Sequence, residues 1–109
     1  MRVGPYVSIS GTTATDKSGS VVGIGNPYTQ TIQIIKNIQT ALQAVDASLK
    51  DIVRSRIYVT DINNWEQIAK AHLDFFKEIR PACTLVEVSR LISPEILVEI
   101  EADAVLSSQ

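Results

Sequence analysis

The amino-acid sequence predicts an α+β domain in which two helices cover one face of a mixed β-sheet. Two observations lead to this fold class. Five short segments have the apolar–polar alternation or the apolar content of strands, and two longer segments repeat apolar residues at helical spacing. Their order along the chain is β-β-α-β-α-β-β. No linker, repeat or low-complexity segment divides the 109 residues, so residues 1–109 are expected to form one domain.

The first part of the chain contains two predicted strands and a helix. Residues 6–10 alternate, and a short apolar strand is predicted around Val21 and Val22. Asn26 and Pro27 are the residue types that favour a helix N-cap and the first helical position. The apolar stripe of this helix contains Ile34, Ile38, Ala41, Leu42 and Val45. We therefore predict an amphipathic helix that packs on the sheet.

A third strand and a second helix follow. Residues 51–60 alternate, and one face of this strand carries Val53, Ser55, Ile57 and Val59. The second helix is capped by residues 61–64 and ends before Pro81. Its apolar stripe contains Trp65, Ile68, Ala69, His72, Phe75, Phe76 and Ile79. We interpret the aromatic residues as core, and His72, the only histidine, as a packed side chain with one ring nitrogen bonded to a neighbour.

Two further strands, residues 80–91 and 97–106, complete the chain. Alternation places three carboxylates on one face of the last strand: Glu99, Glu101 and Asp103. A buried carboxylate is costly, so each must be solvated, paired or used in chemistry. We expect Glu87 and Glu101 to be structural. Some of the three carboxylates of the last strand should pair with Arg54, Arg56 or Arg90 across strands or subunits. For Glu99, a structural role and a functional role both remain open.

Composition argues against several functional classes. The net charge is −2 and the pI about 5.3, and the Lys and Arg residues form no basic patch for nucleic acid. No apolar run approaches the roughly 20 residues that cross a bilayer, and the N-terminus lacks a secretory signal. Cys83, the only cysteine, cannot form an internal disulfide, which favours the reducing cytosol. We expect neither a metal nor a cofactor.

The second face of the predicted sheet raises the question of oligomeric state. It carries apolar positions at Ile9, Leu85 and Val105, and no further element remains in the chain to cover them. Other copies of the same chain would cover them at little cost. We therefore expect a closed homo-oligomer.

Several segments together resemble a known family. The C-terminal run of residues 81–91, followed by residues 98–102, resembles the signature of the reactive-intermediate deaminase (Rid/YjgF) family, also called L-PSP endoribonuclease-like. The similarity extends through residues 7–11, 51–61 and 75–76. It implies a chorismate-mutase-like fold and a homotrimer whose sheets close into a central barrel. It also implies a small-metabolite cleft at each subunit interface, and hydrolysis of imines or enamines by water addition to the C=N bond.

The resemblance assigns roles to individual residues. Glu99 matches the glutamate that orients the attacking water, Ser10 and Gly11 match a pair that lines the pocket, and Leu85 matches a backbone contact. Cys83 stands where the family has an arginine that grips the substrate carboxylate. A thiol cannot replace that bidentate cation. The chain is therefore identified as a variant of the family with altered substrate choice. It also departs at Ala69, where several members have a cleft-lining asparagine.

These observations leave three functions in consideration. The first is imine or enamine hydrolysis of a substrate that lacks the usual carboxylate or anchors it differently. The second is a non-catalytic trimer that binds a small molecule. A ribonuclease or translation inhibitor is the weakest, because the chain is acidic and has no pair of histidines. For Cys83, we favour a buried small hydrophobe over a reactive thiol.

Overall fold

The computed structural model describes residues 1–107, and the α+β class and the predicted order β-β-α-β-α-β-β are confirmed. The strands and helices are β1 (Arg2–Val3), β2 (Tyr6–Thr12), α1 (Pro27–Gln43), β3 (Ile52–Val59), α2 (Trp65–Phe76), β4 (Ala82–Glu87) and β5 (Val98–Val105). Single turns of 3₁₀ helix precede β3 and α2, at Leu49–Asp51 and Ile62–Asn64. Neither α-helix among these residues is long and apolar enough to cross a membrane.

The five strands form one mixed sheet in the order β1-β2-β5-β3-β4. β5 lies inside the sheet and pairs antiparallel with both β2 and β3. β4 pairs parallel with β3, because α2 crosses over between these two strands. β4 is therefore an edge strand with one free side.

Alternation along β5 separates the two faces of the sheet. Val98, Ile100, Ala102 and Ala104 are at most 1% exposed and face the helices. The intervening residues of β5 are half-buried on the opposite face, which we call the outer face. Apolar side chains of α1 and α2 complete the core on the helix face, and those of α1 are Ile34, Ile35, Ile38 and Leu42. The sheet thus has one apolar face and one polar face, as the alternation predicts.

The start of α1 follows the predicted cap. The Asn26 side chain accepts a hydrogen bond from the Thr29 N–H at 3.0 Å, and Pro27 is the first helical residue. One turn later, the fully buried Gln30 donates to the Glu95 carbonyl and accepts from the Leu97 N–H. α1 is thereby joined to the segment that leads into β5.

The second strand does not lie at Val21 and Val22, where the sequence predicted it. Near Val21 the chain makes only an isolated bridge to Thr15, and the two-residue β1 is the additional strand instead. Gly19, Gly23 and Gly25 all have positive φ, between 69° and 86°. Three left-handed residues within seven positions interrupt the extended backbone that a strand requires.

The predicted core face of β3 is wrong at its first position. Val53 is 48% exposed, whereas Ile52 is 3% exposed and takes its place in the core. The pairing register with β5 shifts between Ile52 and Arg54. A shift of one residue reverses the face to which a side chain points, so alternation read without the shift misplaces Val53.

The apolar stripes of both helices are narrower than predicted. Trp65 is 52% exposed, and Ala69 and Ala41 are also exposed, whereas Phe76 is buried. α2 lies beside the edge strand β4, and no further strand covers the start of the helix. Trp65 and Ala69 therefore line an open groove instead of entering the core.

The prediction of an apolar second face is also wrong in part. Ile9 and Leu85 pack against the helix-side core, because Ile9 shares a face with the buried Val7 and Leu85 pairs with the buried Ile57. Val105 does lie outside the core and is 45% exposed. The outer face is largely polar. It therefore exposes less apolar surface for another chain to bury than the sequence predicted.

Candidate functional site

Two of the three outer-face carboxylates of β5 are tied into a hydrogen-bonded network. Asp103 accepts hydrogen bonds from the Tyr6 hydroxyl at 3.0 Å and from the Arg56 guanidinium at 3.1 Å. Glu101 accepts from the Tyr58 hydroxyl at 2.7 Å and lies 3.5 Å from Arg56. The hydrogen bond to the Glu101 carboxylate raises the pKa of Tyr58 above 10.0. The structural role predicted for Glu101 is confirmed.

Glu87 is structural as well. Its carboxylate accepts a hydrogen bond from the Ile62 N–H at 3.0 Å, at the start of the 3₁₀ turn before α2. This bond satisfies one of the backbone donors that a helical turn leaves without an intrahelical partner. Its partner is a backbone amide, and the structural role predicted for Glu87 is confirmed.

Glu99 differs from these carboxylates. Within residues 1–107 its side chain makes no hydrogen bond and no ion pair, and it is half-buried on the outer face. Its carboxyl group lies directly against Gly11. A Cβ at position 11 would overlap Oε2 of Glu99 and lie 2.9 Å from its Cδ. Gly11 therefore provides the space that the Glu99 carboxylate occupies.

A β-bulge in β2 contains Ser10 and Gly11, and Gly11 lies beside Glu99. In the register of β2 with β5, Ile9 pairs with Ala102 and Thr12 pairs with Ile100. Ser10 and Gly11 thus occupy the space opposite a single residue of β5, which is the definition of a bulge. Bulges redirect side chains and often lie next to active sites. The predicted residues Gly11 and Glu99 thus lie side by side, and Ser10 precedes Gly11 in the bulge.

The other predicted residues line a groove between α2 and the edge strand β4. The groove has a volume of about 350 Å³. Its walls are Ile57, Trp65, Ala69, His72, Leu73, Phe76, Arg80, Pro81, Cys83 and Leu85. Cys83 is exposed, so its interpretation as a buried hydrophobe is wrong. The free side of β4 leaves this thiol uncovered.

His72 forms part of the groove wall through contacts on both sides of its ring. Its Nε2 lies 3.0 Å from the hydroxyl of the buried Ser55, and its ring centre is 4.5 Å from that of Phe76. Burial lowers the pKa of His72 below its usual value of 6.5, so the imidazole is neutral at pH 7. The packed role predicted for His72 is confirmed, although sequence alone did not identify Ser55 as its partner.

Arg80 is a groove residue that sequence reasoning missed. It lies just beyond α2 and has a φ of +52°, in the left-handed region that favours glycine. Its N–H donates to the Phe76 carbonyl at 2.9 Å and so closes the end of the helix. The position before Pro81 indicated only that the helix would end. The left-handed turn at Arg80 was not predictable, because arginine rarely takes this conformation.

One chain does not bring all five predicted residues together. Glu99 lies on the outer face of β5, whereas Cys83 and Leu85 line a groove on the helix face of β4. β3 separates these strands, so their backbones are about 10 Å apart. We call the first set the carboxylate half (Ser10, Gly11 and Glu99) and the second the groove half (the residues lining the groove between α2 and β4).

A larger cleft of about 720 Å³ lies between α1 and the loop after β2, and Gly11 also borders it. Its polar groups are mostly used within the chain. Asn37 donates to the carbonyls of Thr13 and Thr15, and the Asp16 carboxylate accepts from Ser18 and Ser20, which lowers the pKa of Asp16. Its two lysines, Lys17 and Lys36, make no ion pair within residues 1–107, but its one carboxylate is already engaged. The smaller groove carries the predicted residues Cys83 and Leu85 and is therefore the better candidate. Within residues 1–107, no cluster of His, Cys, Asp and Glu could hold a metal ion.

Comparisons with known proteins agree with this architecture. The family model described as endoribonuclease L-PSP matches residues 1–106. A RutC family protein of Pyrococcus abyssi is 33% identical over 104 residues, which are 95% of this chain and 81% of that protein. The crystal structure of a YjgF/YER057c/UK114 family member from Mycobacterium tuberculosis is 43% identical, with a TM-score of 0.88 over 96% of this chain and 82% of that one. E. coli TdcF with bound serine is 27% identical, with a TM-score of 0.89 over 98% and 85%.

The half-buried His72 predicts a pH dependence of stability. The unfolded chain binds a proton near pH 6.5, whereas the folded chain binds it only at lower pH. Stability is therefore present in full above pH 6.5 and decreases as the pH falls through the lowered pKa. Urea unfolding at pH 7.5, 6.5 and 5.5 should show a smaller loss for His72→Gln, which keeps a polar atom near Ser55, than for the wild type. Equal losses in the two proteins would contradict the role given to His72.

Proposed function

The chain belongs to the endoribonuclease L-PSP family, also known as the YjgF/RutC/Rid family, and from this premise we propose that it hydrolyses small imines or enamines. The proposal rests on the observation that the Glu99 carboxylate has no bonding partner within residues 1–107. It is the one carboxylate on the outer face of β5 that makes no hydrogen bond or ion pair within residues 1–107, and Gly11 leaves room for it. A carboxylate kept free in this way is available for proton transfer.

The proposed reaction replaces a C=N bond by a C=O bond. Glu99 orients a water molecule toward the electrophilic carbon and accepts one proton as the oxygen attacks. The proton is passed to the nitrogen, which gives a tetrahedral intermediate with one hydroxyl and one amino group. The same carboxylate then moves the hydroxyl proton to the nitrogen, the C–N bond breaks as the C=O bond forms, and ammonia leaves. The sum is imine plus water to carbonyl compound plus ammonia, so no redox partner or metal is required. Orientation of the water and one proton shuttle account for the chemistry.

We propose that the site is completed by a second copy of the chain, as in the homotrimer that the family resemblance implies. Glu99 and the groove lie on different faces of one sheet, so a ligand in the groove of one chain would need the Glu99 of another. Exposed apolar side chains beside these two halves support such an interface: Trp65, Leu73, Val86 and Val105 are each between 41% and 57% exposed. A neighbouring chain would bury them.

The substrate class is a small metabolite. TdcF, a relative of the same fold, has been crystallised with serine, which supports a ligand of amino-acid size. Cys83 occupies the position of the family arginine and offers no bidentate contact to a carboxylate. This difference also favours the second candidate function, a trimer that binds such a ligand without turnover. We place the protein in the cytosol, on the ground that its single cysteine forms no internal disulfide.

Replacement of Glu99 tests the proposed chemistry. Glu99→Gln keeps the shape of the side chain and removes its ability to accept a proton, so imine hydrolysis should fall by about 10²–10⁴-fold with unchanged stability. The assay follows loss of imines generated from a panel of amino acids by an amino-acid oxidase. Glu101→Gln is the matched control. It weakens the contacts to Arg56 and Tyr58, so it should lower the free energy of unfolding by about 1 kcal/mol or less and leave turnover intact.

The outcome separates the two candidate functions. Equal rates for Glu99→Gln and the wild type would remove Glu99 from the mechanism. Absence of turnover in the wild type, with a ligand-dependent rise in its melting temperature, would identify a binding protein instead of an enzyme.

The molecular mass of the protein in solution tests the proposed trimer. Light scattering after size-exclusion chromatography should give about three times the chain mass of 11.9 kDa at micromolar concentration. Trp65→Glu and Val86→Glu should each lower this mass, because a charge would replace an apolar side chain in the interface. Ile92→Glu is the control, since Ile92 is 91% exposed and lies away from both halves. A wild-type mass of one chain would contradict the trimer.

A further inference from the structure

The tyrosine opposite Glu99 on the neighbouring strand has no part in the reaction described above. We propose that Tyr58 is a second catalytic residue, whose hydroxyl oxygen accepts a hydrogen bond from the water molecule that Glu99 activates. This inference rests on the proposed function and adds a residue to the same site. Two acceptors orient the water, so that a lone pair of its oxygen faces the C=N carbon.

Tyr58 and Glu99 face each other across two strands. They are partners in the antiparallel register of β3 and β5, and both are half-buried on the outer face. Side chains at directly opposite positions of two strands have their Cβ atoms about 5 Å apart. The Tyr58 side chain therefore starts beside the carboxylate that has no bonding partner.

The hydrogen bonds of Tyr58 commit its proton and leave its oxygen open. Its O–H donates to Glu101 at 2.7 Å. Within residues 1–107 no group donates to the hydroxyl oxygen, because the nearby Arg56 guanidinium contacts Glu101 and Asp103 instead. A hydroxyl has two acceptor lone pairs beside its single proton. Tyr58 and Glu99 are thus neighbouring acceptors, and both lack a donor among the described residues.

The causes of the raised pKa of Tyr58 agree with this geometry. The hydrogen bond to Glu101 is the largest cause of its rise above 10.0, partial burial follows, and the charge of Glu99 adds to it. Glu99 therefore lies within electrostatic range of the phenol. At pH 7 the phenol keeps its proton, so Tyr58 offers a water molecule an acceptor oxygen without a second negative charge.

The spacing along the sheet suits one water molecule between the two acceptors. Residues two apart on a strand, such as Glu99 and Glu101, are about 7 Å apart. The Tyr58 ring starts opposite Glu99 and its hydroxyl reaches Glu101, so the hydroxyl lies within this interval. A water molecule that donates to two acceptors at about 2.8 Å each bridges up to about 5.5 Å. Its lone pairs then remain for the substrate carbon.

In the reaction, Glu99 takes one proton of the water while the other proton stays hydrogen-bonded to Tyr58. That second proton becomes the hydroxyl proton of the tetrahedral intermediate, and none passes to Tyr58. Tyr58 thus orients the nucleophile and leaves the sum of the reaction unchanged. Its loss should therefore lower kcat and leave KM almost unaltered.

Removal of the hydroxyl tests this role. With the imine of the panel that the wild type hydrolyses fastest, Tyr58→Phe should lower kcat about tenfold and change KM by less than about twofold. Tyr6→Phe is the matched control, because its hydroxyl also binds an outer-face carboxylate, Asp103, near the other end of β5. The two variants should lose similar stability to urea, and Tyr6→Phe should keep the wild-type kcat. Glu101→Gln retains an oxygen that accepts from Tyr58, so the hydroxyl stays in place in that variant.

A double variant separates a role at the water from a structural role. Residues that act together on one water are non-additive, so Tyr58→Phe should slow Glu99→Gln by less than about threefold. The proposal is overturned if Tyr58→Phe and Tyr6→Phe have equal kcat, if the two losses multiply in the double variant, or if the wild type shows no turnover. A loss in Glu99→Gln without one in Tyr58→Phe would count against Tyr58 alone. A wild-type rate in Glu99→Gln would overturn the hydrolysis at Glu99 and the role of Tyr58 with it.

Discussion

The period-two alternation of β5 is the constraint on which the rest of the structure depends. β5 lies between β2 and β3, so its register fixes that of the whole sheet. One set of its side chains, from Val98 to Ala104, enters the core, and the other set carries the carboxylates. A slip of one residue would place the carboxylates under the helices, where burial without partners is prohibitive. One face of these eight residues therefore contributes to the core, and the other face carries Glu99 of the carboxylate half.

The three carboxylates of β5 differ in their hydrogen bonding because their neighbours differ. Arg56 and two tyrosines hold Glu101 and Asp103, which stabilises the outer face across β2, β5 and β3. Near Glu99, the bulge in β2 supplies Gly11, whose missing Cβ leaves space and no hydrogen-bonding side chain. The absence of a partner, more than the presence of a carboxylate, distinguishes Glu99 as the group available for chemistry.

Patterns that involve neighbours in sequence predicted the fold class, the helix cap at Asn26 and the division of β5 into two faces. Features that depend on distant parts of the chain were not predictable in this way. Val53 was misplaced because a register shift in β3 leaves no trace in local alternation. Cys83 and Trp65 were assigned to the core because sequence does not reveal that β4 is an edge strand. Arg80 was missed because an arginine rarely takes the left-handed conformation that it has at the end of α2.

The most direct test of a site divided between copies of the chain is complementation between two inactive variants. Glu99→Gln removes the carboxylate half, and Ala69→Trp fills the groove half. Each variant alone should be inactive. In trimers refolded from an equal mixture, about one quarter of the interfaces combine an intact Glu99 with an intact groove, so about one quarter of wild-type activity should return. A mixture as inactive as its components would show that each site lies within a single chain.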